Sequence, residues 1–157
     1  MVANQPLANR YREVEVKTAN PLELVVILYD GAIHSLQQAL EQLKQNDVAG
    51  RSRSINRFVA LLSQLQASLN FDEGGAIASS LDRLYTYMKE RVFQANVGQK
   101  SEPLHEVINL LQNLRSAWQE LAAQVSTVEI QGNIANAQLV KAETMKTQQL
   151  TTLNISG

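Results

Sequence analysis

The residues with the spacing of a catalytic or metal-binding motif are few. Glu102-Pro103-Leu104-His105 has the Glu-x-x-His spacing that puts a carboxylate and an imidazole on one helical face. A di-metal carboxylate centre needs two such motifs and two further carboxylates from facing helices. The chain's only other histidine, His34, has Gly31 three residues before it, so the second half of that centre is missing and no metal or cofactor is expected. Asp72-Glu73-Gly74-Gly75 has glycines but neither the preceding strand nor the lysine of a phosphate loop. Cysteine is absent, which removes disulfides, thiolate nucleophiles and Cys-based zinc sites. With two histidines far apart there is little from which to build a nucleophile and its base, and the chain does not read as an enzyme.

The elements that would have to carry any site are helices. Hydrophobic residues make up 45% of 157 positions but aromatics only 5%, so the expected core is aliphatic. The formal charge of −1 gives no electrostatic footprint for nucleic acid or an anionic membrane surface. One basic cluster, Arg51 to Arg57, reads as a solvated helix start or as a docking patch for an acidic partner. The N-terminus has no apolar run of signal-peptide length, and the strongest such run, Leu24 to Leu28, is far short of a bilayer span; a cytoplasmic protein without membrane insertion is expected.

Four segments show a period near 3.6 and none alternates with period two. The first opens at Asn20-Pro21-Leu22-Glu23, with a cap, a proline at the first helical position and a carboxylate in the first turn, and ends near Asn46 to Gly50. The second carries Ile55, Phe58, Leu62, Leu65 and Leu69; Asn70 to Gly75 stops it. The third runs from about Ala76 through Ile77, Leu81, Leu84, Tyr85, Met88 and Val92. The fourth, capped by Ser101, repeats Leu104, Val107, Leu111, Leu114 and Trp118 up to Val125. Short connections make consecutive helices antiparallel. The expected fold is all-α: an up-down-up-down four-helix bundle over residues 20–125, preceded by a lid segment at 1–19 and followed by a flexible or weakly helical extension at 126–157.

The first helix has more apolar surface than one stripe. Leu24, Leu28 and Ile33 widen it, and these are either contacts for something other than the core or surface used up by the second and fourth helices. Gly31 interrupts the same helix at a cost of roughly 1 kcal/mol relative to alanine. Its missing side chain permits a close approach, by a neighbouring helix or by an additional backbone lying across a groove.

Those residues also carry a likeness. Arg10 to Leu40, with Leu28-Tyr29-Asp30-Gly31-Ala32-Ile33 at its centre, the Leu69-Asn70 turn, Gly74-Gly75-x-Ile77-Ala78, Leu84-Tyr85, Tyr87-Met88, Ala95-Asn96 and the late Trp118 follow one another in an order that resembles the flagellar secretion chaperone FliS family. The resemblance covers about Tyr11 to Glu120. It implies a cytoplasmic bundle that binds the disordered C-terminal region of flagellin, shields it from premature polymerisation and presents it to the flagellar export gate, with no cofactor. It also implies a mobile segment before the first helix, with Tyr11 as lid residue and Leu7, Val14 and Val16 as its apolar companions. On this reading Leu24, Leu28 and Ile33 face cargo, while Tyr29, Asp30, Gly31, Gly74 and Gly75 shape the groove. The tail beyond the fourth helix departs from the family pattern: it is disordered or folds back on the groove as an internal competitor. A rival reading, a general helical adaptor that self-associates, as a homodimer for instance, through the same apolar face, follows from exposed apolar surface alone.

Overall fold

Capping chemistry sets where the helices begin. Asn20, in an extended conformation, accepts a hydrogen bond from the Leu22 amide at 3.0 Å, and Pro21 opens α1, Pro21–Lys44. Asp47 accepts from the Gly50 amide at 2.9 Å and starts α2, Val48–Ala67. Asn70 accepts from the Glu73 amide at 3.1 Å and starts α3, Phe71–Gly98. The last helix, α4, is Glu102–Ile155, and its first turn is joined to the preceding bend by the His105 amide donating to the Ser101 carbonyl at 3.1 Å. Each cap satisfies an amide that the first helical turn leaves without an intrahelical partner. The structure is a computed structural model that describes residues 20–155. It divides into two compact units, one ending at Gln119 and the other beginning at Glu120.

Cross-helix polar contacts fix the direction of each helix in the first unit. Ser54 donates to Gln42 at 2.7 Å next to the α1–α2 turn. Along α2 and α3, Gln66 meets Asp82 at 2.8 Å while Arg51, at the other end, meets Asn96 at 2.8 Å. Rising numbers on one helix meet falling numbers on the other, which makes the two antiparallel. Arg91 on α3 is paired with Glu106 on α4, and Asp30 on α1 with Arg115 on α4, closing the ring. Together with the short turns this is the all-α bundle the sequence calls for, and no strand occurs among the described residues.

The core is mainly aliphatic, with three aromatics, Tyr29, Phe58 and Tyr85. Tyr29, Leu36, Phe58, Leu62, Tyr85, Met88, Val92, Leu104, Val107 and Leu111 are all buried. Each buried aliphatic or aromatic side chain contributes about 1.5–3 kcal/mol relative to exposure.

Three boundaries differ from the sequence reading. The fourth helix does not stop near Val125 but continues to Ile155, through the segment expected to be flexible or weakly helical. The third helix starts at Phe71 rather than near Ala76, because Asn70 caps it and Glu73 supplies the third position. Gly74 and Gly75 therefore lie inside α3 rather than before it. Gly75 has φ 47° and ψ −120°, a non-helical kink between the first turn and the main body of the helix. That left-handed φ is strained for any residue with a Cβ, so glycine is required there. Leu69 belongs to the turn after α2, half-buried against the core.

Candidate functional site

The body of α3 after the Gly75 kink carries apolar side chains that its own packing does not use. Ile77, Leu84 and Arg91 recur every seven residues and so share one face of the helix. Arg91 donates to Glu106 on α4 at 2.8 Å, which shows that this face looks toward α4. Ala76, Ile77, Ser80, Leu81 and Leu84 line an open apolar pocket of about 300 Å³. Ile77 is 71% exposed, while Leu81 and Leu84 are half-buried, their inner sides on the core. On α4, Leu110 and Leu114 are half-buried in the same way. The result is a shallow apolar channel on the surface of α3, with Leu81 and Leu84 as its aliphatic floor.

A polar cluster marks the far end of that face. Tyr87 donates to Glu106 at 2.5 Å, and Arg91 reaches the other carboxylate oxygen at 2.6 Å through Nη2. The Tyr87 hydroxyl, and after it Arg91, hold the Glu106 carboxyl below its ordinary value, and the carboxylate in turn raises the Tyr87 phenol.

Beneath the surface, three helices meet through polar atoms. The hydroxyls of Tyr29 on α1 and Tyr85 on α3 are 2.5 Å apart, and the Trp118 indole N–H on α4 donates to the Tyr29 oxygen at 3.2 Å. The tyrosine rings are tilted by 53° with centroids 6.4 Å apart. Tyr29 can accept from Trp118 and still share a proton with Tyr85, so neither buried hydroxyl is left unsatisfied, a defect that costs about 1–3 kcal/mol. Burial raises both phenols above the ordinary tyrosine value, with the neighbouring Tyr29 raising Tyr85 further.

The residues singled out in α1 separate into three groups. Leu24 and Leu28 are half-buried and lie on the face that also carries Gln42, which meets α2. Ile33 is 8% exposed and belongs to the core, so in this conformation it supports the wall of α1 rather than lining open surface. Tyr29 is fully buried in the polar knot, and Asp30 forms an ion pair with Arg115, whose Nε and Nη2 both donate to its carboxylate. Gly31 is buried within regular helix, and its carbonyl accepts from the Ser35 hydroxyl at 2.8 Å. Leu7, Tyr11, Val14 and Val16 lie outside the described residues.

Sequence reasoning placed Ile77 in the core stripe of the third helix and so missed its exposure. The spacing of Ile77 from Leu84 and Arg91 gives the face that it lies on but not whether anything covers that end of the face, so no local signal marked its exposure. The Tyr29–Tyr85–Trp118 contact carried no local signal, because its members lie on three helices. Among the described residues no group of three or more His, Cys, Asp or Glu side chains is placed to hold a metal ion, and no helix is long and apolar enough to cross a membrane.

Against known families, residues 3–125 match the model of flagellar protein FliS. The chain belongs to that family. It is 34% identical over 118 residues to the flagellar secretion chaperone FliS of Salmonella typhimurium, covering 74% of this chain and 87% of the relative. It is 32% identical over 106 residues to the flagellar secretion chaperone FliSB of Pseudomonas aeruginosa, covering 68% and 84%. The FliS of Bacillus subtilis is similar at 26% over 110 residues, covering 70% and 81%. The FliS match takes in α1 to α3, the α3 channel and α4 as far as Val125, and leaves residues 126–157 outside it.

Proposed function

We propose that this chain is a cytoplasmic flagellar export chaperone that binds the C-terminal region of flagellin in its apolar channel. It keeps that region from premature polymerisation and competent for flagellar secretion, and the loaded complex is what the export gate receives. The observation that carries the reading is Ile77: a large aliphatic side chain, 71% exposed at the mouth of an apolar pocket, on a bundle whose core is already filled. Such surface on a FliS-family bundle fits a disordered segment that folds into a groove as it binds.

The energetics suit a cargo that must be released. Covering each of a few Ile or Leu side chains yields about 1.5–3 kcal/mol. Ordering the cargo segment costs about 2–5 kcal/mol or more. The net is reversible capture. Leu24 and Leu28 offer a second, separate apolar patch on the α2-facing flank of α1, with Ile33 in the core supporting that helix; Tyr29, Asp30 and Gly31 hold the shape of α1, and Gly74 and Gly75 set the entrance to the channel. The segment carrying Leu7, Tyr11, Val14 and Val16 is the lid that cargo displaces.

The test is isothermal titration of the full chain with the C-terminal segment of the cognate flagellin. Micromolar or tighter binding that Ile77→Asp weakens at least tenfold supports the reading. No binding, or binding indifferent to Ile77→Asp and Leu84→Asp, overturns it.

A further inference from the structure

The second unit holds apolar surface of another kind. Val128, Gly132, Ala135, Leu139 and Ala142 follow one another at alternating spacings of four and three, the 3.5-residue period of a coiled-coil seam. The phase is that of Leu104, Val107 and Leu111, which are buried. Here every position is exposed, Val128 by 66% and Leu139 by 63%. Gly132 adds a separate clue. Its φ is not positive, and a Cβ placed on it would meet nothing within 4 Å. Neither the backbone nor any neighbour within the chain requires glycine there, yet glycine in a helix interior costs roughly 1 kcal/mol. Close approach by a second helix accounts for it.

We infer that the helical segment after Gln119 pairs with the same segment of a second copy of this chain, as an antiparallel two-stranded coiled coil centred between Asn133 and Ile134. Self-complementarity selects this occupant and this direction. Across a two-fold axis at that point, Gly132 meets Ala135, Val128 meets Leu139, and Ala142 meets Val125 of the second copy. Small residues sit at the centre, where two backbones approach most closely, and a larger residue meets a smaller one at the outer layer. Parallel pairing instead stacks Gly132, Ala135 and Ala142 each on itself, leaving thin layers, and sets Lys146 against Lys146 at a seam position. The antiparallel register places Lys146 opposite Leu121 of the second copy, beside its Glu120. The segment's charges, Glu120, Glu129, Lys141, Glu143 and Lys146, nearly balance, so two copies meet without strong repulsion. Most of the seam, from Val128 onward, lies outside the FliS match, and only its outer layers, at Leu121 and Val125, fall within it.

The chain has no cysteine, so single substitutions report the geometry without background. In the full chain, Ala135→Cys places the two thiols within about 5 Å along the coil axis, whereas Ala142→Cys places them about 25 Å apart, at 1.5 Å rise per residue. The expected result is a dimer by light scattering between roughly 1 and 100 μM, with oxidation linking Ala135→Cys and not Ala142→Cys. Leu139→Glu, at an exposed site, should raise the dimer dissociation constant at least tenfold with the thermal midpoint of the bundle unchanged. A monomer throughout that range, linkage of both variants alike, or a dimer indifferent to Leu139→Glu overturns the inference.

Discussion

The first unit and the helix beyond Gln119 are written in the same apolar alphabet with opposite outcomes. In the first unit, Leu104, Val107 and Leu111 of α4 are buried with Tyr29, Phe58 and Tyr85. In the second, Val128 and Leu139 repeat the same spacing and remain exposed. Periodicity therefore states which face of a helix needs covering and does not state what covers it. The composition differs as well: beyond Ser126 the helix is rich in Thr, Asn and Gln, weak helix formers or small contributors to a core, and isolated helices of that kind are marginal in water. Stability resides in one unit, and an unmet demand for a partner in the other.

The sharpest way to break this comparison is to remove one large side chain from each. Phe58→Ala, deep in the bundle, should cost about 3–5 kcal/mol, read as a lower denaturation midpoint. Leu139→Ala should leave that midpoint within about 0.5 kcal/mol; equal losses would mean that the exposed seam contributes to the bundle's own stability. Gly75→Ala comes next, with an expected loss of about 1–2 kcal/mol from forcing a Cβ into a left-handed conformation. By contrast, Gly132→Ala should be neutral or slightly stabilising for the helix itself, as helicity by circular dichroism would report.

The polar knot gives a smaller effect with a pH signature. Tyr85→Phe should cost about 1 kcal/mol in denaturant unfolding at neutral pH. Both phenols titrate higher in the folded state than in the unfolded one. Their contribution is therefore complete below pH about 10, the unfolded tyrosine value, and is lost as pH rises above it. Unfolding followed between pH 8 and 11 should show stability falling above about 10 in the native chain, and falling less steeply in Tyr85→Phe. The smallest expected change is at Asp30–Arg115. Asp30→Asn should cost under about 1 kcal/mol, less in high salt, because both side chains are about one-third exposed.

Much of the fold was legible because its signals are local. Asn20-Pro21 marked the start of α1, and the three-four spacing of Leu104, Val107 and Leu111 marked the buried face of α4. The start of α3 was misplaced because two glycines look like a turn, whereas Asn70 and Glu73 outweigh them by satisfying the first amides. The channel was hidden for another reason. Ile77 fits the apolar period of the third helix, and period alone does not say that this end of the face is left uncovered. In α1 the spacing identified surplus apolar positions, but it did not separate Ile33, which is in the core, from Leu24 and Leu28, which remain half-covered. Contacts between residues far apart in the chain, such as the meeting of Tyr29, Tyr85 and Trp118, leave no trace in local periodicity.

That meeting gives the molecule a native optical reporter. Trp118 is the chain's only tryptophan, and its ring nitrogen is tied to a phenol on α1. Indole emission shifts when a hydrogen-bond partner is exchanged for water, so any event that slides or parts α1 from α4 announces itself as a colour change, with no label attached.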